Sequence, residues 1–172
     1  MGTMDAIGLA LRAVVGVTMI AHGYNHWRGP GGLAGTAKWF GGIGLRPPRF
    51  HASASVLVEL GAGTALMAGL LTPLAAAGVV GTMVVAGVAA HRSNGFFVFK
   101  DGYEYVLLLA VVCLCLSALG PGRISLDHAL GIVVDGAAGA AIAGMAGIGG
   151  ALVLLAACWR PRREPEPEKA NG

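Results

Sequence analysis

Residues 53–90 read SASVLVELGAGTALMAGLLTPLAAAGVVGTMVVAGVAA and contain one ionisable side chain, that of Glu59. A short interruption at Thr72 and Pro73 divides the stretch into two apolar runs, approximately residues 53–71 and 74–90. A helix needs about 20 apolar residues (roughly 17–25) to cross the hydrocarbon core of a bilayer. The stretch therefore predicts two consecutive transmembrane helices, with a carboxyl group inside the first of them.

The rest of the chain has the same apolar character. Of its 172 residues, 55% are hydrophobic and 12% are charged, with a mean hydropathy of +0.70. Soluble domains carry about 25% charged residues. Three further segments qualify as spans, at approximately residues 6–22, 103–119 and 132–158. We therefore predict an all-α membrane protein with five transmembrane helices.

Lysine and arginine are distributed unevenly among the connections, and this predicts the orientation of the chain. The net charge of +3 does not indicate nucleic-acid binding, because the basic residues lie in short loops between apolar segments. Cytoplasmic loops of membrane proteins carry an excess of these residues. We expect a multi-pass cell-membrane protein with its N-terminus outside and its C-terminus in the cytoplasm. Arg123 is the one basic loop residue on the predicted outer side, and the predicted cytoplasmic ones are Arg28, Lys38, Arg46, Arg49, Arg92, Lys100, Arg160, Arg162, Arg163 and Lys169.

The fifth span, DGAAGAAIAGMAGIGGALVLL, consists almost wholly of glycine and alanine. Small residues spaced four apart allow helix backbones to approach closely. We favour the interpretation that these small residues pack within one bundle, and a homodimer interface is the alternative. The segment that follows, residues 159–172, alternates charge with proline and is predicted to be a disordered cytoplasmic tail.

Three charged residues fall towards the predicted outer side. Arg12 lies about two turns inside the first span, and the segment RISLDHAL leads back into the membrane before the fifth span. A buried arginine needs a partner because its insertion costs roughly 2.5–3.5 kcal/mol. We expect Arg12 to form a structural bidentate pair with Asp127 or Asp135.

A second set of polar residues falls at the predicted cytoplasmic ends of the first four spans: His22, His26, Glu59, His91, Tyr103 and Glu104. The spacing of His22 and His26 places both on one helical face, which suits a proton donor and acceptor facing one cavity. The sequence also shows a weak internal repeat, because AHGYN and AHRSN are similar and each precedes a span that carries a glutamate, Glu59 or Glu104. This similarity is a further reason to include Glu104. A hydrogen-bonded cluster that holds helix ends together is the alternative. Metal or haem ligation is less favoured, because nothing fixes the spacing between the histidines.

Five segments together resemble the DoxX family of bacterial membrane proteins: LRAVVGVTMIAHGYNHW, FGGIGLRPP, LVELGAGTALMAGLLTPLAA, GFFVFKDGYEYVLLLAVV and GPGRISLDHALG. The similarity covers approximately residues 8–131 in order. It implies a four-helix transmembrane bundle at residues 1–131, to which this chain adds a fifth helix at 132–158 and the tail at 159–172. His26 stands where the family commonly has lysine.

The resemblance also implies a function. Relatives are linked to quinone-coupled sulfur oxidation and to a membrane complex that supports thiol and oxidative-stress balance. On this basis the protein is predicted to be a redox-complex subunit in contact with membrane lipid and protein partners. Glu59, His22 and Glu104 would exchange protons, and His26, His91, Tyr103 and Trp27 would line a quinone pocket. The chain shows no flavin, nicotinamide or iron–sulfur motif, so it is not expected to be an autonomous enzyme. The alternative is a non-catalytic scaffold that recruits soluble partners.

Overall fold

The computed structural model describes residues 2–161, which form seven α-helices and no β-sheet. A π-helical turn at Gly87–His91 and a 3-10 turn at Arg92–Asn94 extend the fourth helix, and another 3-10 turn occupies Val98–Lys100. The α-helices are α1 (Thr3–Arg28), α2 (Gly32–Gly42), α3 (Pro48–Ala68), α4 (Thr72–Ala86), α5 (Glu104–Leu119), α6 (Leu126–Leu130) and α7 (Gly136–Cys158).

Four helical stretches are long and apolar enough to cross a membrane: α1, α3, α7 and Thr72–Asn94, which contains α4. The fifth predicted span is α5, a shorter apolar helix of 16 residues. The prediction of an all-α membrane bundle is confirmed. Two helices extend beyond the apolar runs, because α1 continues to Arg28 and α3 begins at Pro48. Proline is well suited to the first turn of a helix, where its missing N–H is not needed.

The helices α1, α3, α4 and α5 form a ring in which each packs against the next, and α7 packs outside the ring against α4 and α5. Glycines permit the closest approaches. A Cβ atom on Gly63 would lie 2.7 Å from the carbonyl oxygen of Gly16, and one on Gly147 would lie 2.8 Å from that of Ala77. These contacts join α1 to α3 and α7 to α4. One row of small residues on α7 therefore packs within the bundle, as small-residue motifs do in membranes: Gly139, Ala143, Gly147 and Ala151.

The connections divide between two ends of the bundle. At one end, the backbone N–H of Arg123 donates to Asp5 Oδ1 at 2.9 Å, which links the α5–α6 connection to the start of α1. At the other end, the N–H of Arg160 donates to the Gly44 carbonyl at 2.8 Å, which links the end of α7 to the α2–α3 connection. We call the second the basic end, because it carries Arg28, Lys38, Arg46, Arg49, Arg92, Lys100 and Arg160.

The predicted disordered tail begins with ordered residues. Trp159 forms an isolated β-bridge with Leu45, and its Nε1 donates to the carbonyl oxygen of Ile43 at 2.9 Å. The assignment of Trp159 and Arg160 to a disordered tail is therefore wrong, because these contacts attach both to the α2–α3 connection. The rest of the tail, residues 162–172, lies outside the described residues.

Candidate functional site

A cavity of about 270 Å³ lies beside α4, between α3 and α7, and α2 covers it at the basic end. Glycine, alanine and aliphatic side chains form most of its wall. The polar and aromatic side chains that line it come mainly from the first three helices; they are His26, Trp39, Phe40, His51, Ser55, Glu59 and Thr82.

Glu59 is the most deeply buried acid in the cavity wall, with 3% of its surface exposed. Ser55 lies one helical turn earlier on α3, and its hydroxyl donates to Glu59 Oε1 at 2.7 Å. The second carboxyl oxygen, Oε2, is buried and has no hydrogen-bond partner among residues 2–161. Buried polar atoms are nearly always hydrogen-bonded. An unpartnered oxygen beside a cavity therefore indicates a place where a ligand can bind.

His26 approaches this carboxyl group from α1. Its Nε2 lies 3.7 Å from Glu59 Oε1, and its side chain is 18% exposed. The ring stacks on Trp39, with centroids 6.0 Å apart, and meets the edge of Phe40 at 5.9 Å. His26 therefore lies between the buried acid and the surface of the basic end.

Thr36 of α2 orients the imidazole. The Thr36 hydroxyl donates to the carbonyl oxygen of His26 at 2.9 Å, and its oxygen lies 3.4 Å from His26 Nδ1. Because its own hydrogen is used for the carbonyl, Thr36 can only accept from the ring. This arrangement assigns the hydrogen of neutral His26 to Nδ1 and leaves the lone pair of Nε2 facing Glu59.

The structure does not bring His22 or Trp27 into the cavity. His22 lies one helical turn farther from the basic end than His26, and its Nε2 is 3.4 Å from the hydroxyl oxygen of Tyr105 on α5. Trp27 lies on the surface under the guanidinium of Arg28, with 4.3 Å from the carbon of that group to the ring centroid.

His91, Tyr103 and Glu104 lie at or between the end of the extended fourth helix and the start of α5, and they do not line the cavity. His91 Nδ1 is 2.8 Å from the carbonyl oxygen of Asp101. Glu104 accepts a hydrogen bond at 2.9 Å from the backbone N–H of Val98. Of the predicted pocket residues, Glu59 and His26 therefore share the cavity, and the others lie outside it.

Arg12 is fully buried, but the predicted direct pair with an aspartate does not form. Its guanidinium donates to the carbonyl oxygens of Leu66 at 3.3 Å, Met67 at 3.5 Å and Ile124 at 2.5 Å. Backbone carbonyls are available here because α3 ends beside Arg12, and the last carbonyls of a helix have no partner within it. Arg12 thus joins the end of α3 to the segment before α6.

The two aspartates have other positions. Asp127 is buried and accepts hydrogen bonds from the backbone N–H groups of Leu71 at 2.6 Å and Thr72 at 2.9 Å, and from the Thr72 hydroxyl at 2.8 Å. These are the first donors of α4, where a carboxylate satisfies free N–H groups and interacts favourably with the helix dipole. Asp135 is exposed and precedes α7.

The comparisons with known proteins identify the family. A family model for DoxX matches residues 7–92, which is half of the chain. The chain belongs to the DoxX family. No curated protein and no solved structure matches it.

The DoxX match runs from α1 to the end of the π-helical turn and contains both Glu59 and His26. The far wall of the cavity comes from Gly147, Gly150 and Leu154 of α7, beyond the matched residues. The cavity is therefore built jointly by the DoxX region and by the last helix of this chain.

Several cavity residues were not singled out by the sequence analysis. His51 is buried on α3, with Nε2 3.0 Å from the Arg46 carbonyl, but the apolar pattern assigned it to a loop. Trp39 and Phe40 lie on α2, and their contact with His26 depends on how α2 folds back. The four-residue spacing of Ser55 and Glu59 was the one sequence feature that could have predicted a hydrogen-bond donor for the Glu59 carboxyl group.

Proposed function

We propose that this DoxX protein is the integral membrane subunit of a quinone-linked redox complex and that the cavity binds the quinone. The observation that supports this proposal best is the unpartnered Oε2 of Glu59, which is buried in the wall of an apolar cavity beside an aromatic cluster. Ligand sites are typically apolar clefts with a few well-placed polar groups, of roughly 300–1,000 Å³.

The residues fit a quinone headgroup. Such a ring has flat apolar faces and two oxygen atoms that form hydrogen bonds, and Trp39, Phe40 and Glu59 offer matching surfaces. A bound quinone supplies two-electron chemistry, in which reduction adds two protons to its oxygens. Glu59 can serve both forms, because a carboxylic acid donates to a carbonyl oxygen and a carboxylate accepts from a hydroxyl group.

His26 would connect this acid to water. The 3.7 Å between Nε2 and Glu59 is longer than a hydrogen bond, so the imidazole with its lone pair on Nε2 would exchange a proton with Glu59 through one bridging water or after a small approach of the two groups. Its partly exposed ring can exchange with solvent at the basic end. In this proposal Glu59 contacts the ligand, and His26 returns a proton to Glu59 after Glu59 has given one to the ligand. The electrons would come from a partner protein of the complex.

We expect the basic end to face the cytoplasm. Seven of the described arginine and lysine residues lie there, whereas Arg123 lies at the opposite end. A reporter fused after Gly172 checks this orientation: cytoplasmic fluorescence is expected, and periplasmic alkaline phosphatase activity from the same fusion point would contradict it.

Substitution of the two histidines tests the site itself. His26→Leu is expected to lower quinone affinity about 30-fold, because it removes two contacts that position the ligand-binding groups, the stacking on Trp39 and the polar contact with Glu59, each worth about 1 kcal/mol. His22→Leu is the matched control, since His22 contacts Tyr105 outside the cavity. Affinity is measured in lipid nanodiscs. Equal affinities of the two variants would contradict the assignment of His26 to the site.

A further inference from the structure

We infer that the ligand of this cavity carries an apolar chain, and that it enters from the bilayer through an opening between α3 and α7 in which the chain then lies. The inference rests on the proposed function, and it adds the class of ligand and its route.

The opening is defined by residues of α3 and α7 that line the cavity and are also exposed; Trp39 of α2, at the basic end, is the other exposed large side chain of the lining. On α3 this residue is Val58, which is 39% exposed, and on α7 they are Ala146 and Gly150. Gly150 lies eight residues before the end of α7 at Cys158, a distance of about 12 Å along the helix axis. Val58 lies near the middle of α3. The opening therefore faces the hydrocarbon region and not the aqueous surface.

The aqueous side of the cavity is closed by a strap, the α2–α3 connection around Leu45. The N–H of Arg46 donates to the Cys158 carbonyl at 2.9 Å, and the N–H of Arg160 donates to the Gly44 carbonyl at 2.8 Å. The indole N–H of Trp159 donates a further hydrogen bond to the carbonyl oxygen of Ile43. The side chain of Leu45, within the strap, is buried, with 2% of its surface exposed. A ligand that arrives from water would have to displace these bonds, whereas one dissolved in the bilayer meets an open side.

The walls between the opening and Glu59 suit an alkyl or isoprenoid chain. Gly78, Gly81 and Gly147 contribute backbone to the cavity lining while they pack against neighbouring helices. Among residues 2–161, Glu59 is the one acidic residue of the lining. The side chains around the glycines are small and apolar, such as those of Ala77, Val85 and Ala146. Small residues alone also serve helix packing, so the unpartnered Oε2 of Glu59 at the inner end is the second, independent observation that indicates a ligand. Together they specify an amphipathic molecule whose polar head binds Glu59 and whose chain points to the membrane.

Gly150→Leu tests this inference. A Cβ atom at Gly150 meets no other atom within 4 Å, so a larger side chain fits on the protein and occupies only the opening. We compare two probes in nanodiscs, a benzoquinone with a decyl chain and the same ring with a methyl group. Gly150→Leu is expected to lower affinity for the decyl compound by about tenfold or more and for the methyl compound by less than about threefold.

Gly61→Leu is the matched control. It places the same side chain on α3 at a glycine with equally open surroundings that does not line the cavity, and both affinities should stay unchanged. If Gly150→Leu leaves the affinity for the decyl compound unchanged, or lowers both affinities equally, the inference about the chain is overturned. If Glu59→Met leaves binding of both probes unchanged, or if the wild-type protein binds neither, the proposed function fails, and the inference fails with it.

Discussion

Glu59→Met is expected to weaken quinone binding by about 10- to 100-fold. The substitution removes a cavity-lining carboxyl group whose Oε2 is buried and has no partner among residues 2–161, and the loss of one buried hydrogen bond to a ligand costs about 1–3 kcal/mol. The fold should tolerate the change, because methionine has a similar length and the Ser55 hydroxyl, which loses its acceptor, can donate to the backbone carbonyl one turn earlier on α3. Binding is measured in nanodiscs, with thermal unfolding recorded on the same samples.

Glu59→Gln separates holding the ligand from moving a proton. The amide can still accept from Ser55 and donate to a quinone oxygen, so affinity should stay within about threefold of the wild-type value. It cannot release a proton, so quinone reduction in membranes that contain the complete complex should fail. Glu104→Gln is the control at an acid outside the cavity. Unchanged binding in Glu59→Met would instead favour the non-catalytic scaffold.

Arg12→Met is expected to lower the free energy of unfolding by about 2–4 kcal/mol, because it removes the charge-assisted hydrogen bonds that the buried guanidinium donates to backbone carbonyls. The carbonyls of Met67 and Ile124 would lose this donor, whereas that of Leu66 still accepts from the N–H of Gly69. Asp127 of α6, which is buried next to the start of α4, would lose its favourable electrostatic interaction with the guanidinium of Arg12. Thermal unfolding in mild detergent measures the loss.

Arg123→Met provides the comparison, because Arg123 is exposed at the same end of the bundle and should change stability by less than about 0.5 kcal/mol. Arg12→Lys should also destabilise the protein, since an ammonium group cannot reproduce the planar fork that reaches carbonyls on two segments. Equal unfolding temperatures for Arg12→Met and Arg123→Met would show that the buried network contributes nothing.

The transmembrane helices could be predicted because lipid imposes a minimum apolar length, and residues 53–90 meet it twice. The ends of the helices could not, because a helix continues beyond the hydrocarbon wherever its next residues permit it. His26 and His51 lie in such extensions of α1 and α3. The apolar pattern was therefore a good guide to the bundle and a poor one to its basic end, where the cavity lies.

The candidate site was predictable in part. Glu59 was predicted as a site residue because it is the lone ionisable residue of its span, and the structure places it in the cavity wall. The sequence could not decide between His22 and His26, because their four-residue spacing gives a common face but not the neighbour at each level. That neighbour is α5 for His22, whereas α2 and α3 flank His26.

Arg12 illustrates a different limit. Its burial was predictable, and charge alone suggested an aspartate as its partner. In the structure, helix ends supply the partners of both ions: carbonyls at the end of α3 accept from Arg12, and amides at the start of α4 donate to Asp127. Free backbone groups at helix termini compete with side chains for such bonds, and a sequence does not show which terminus lies nearby.

The most direct test of the central claim is the quinone content of the protein purified from its membrane in mild detergent, measured in an organic extract. The wild-type protein is expected to retain about one quinone per chain, because the cavity beside Glu59 has room for one headgroup. Glu59→Met should retain less than about a tenth of that amount. Equal quinone contents in the two proteins, both at the background level of the co-purified lipid, would contradict the account.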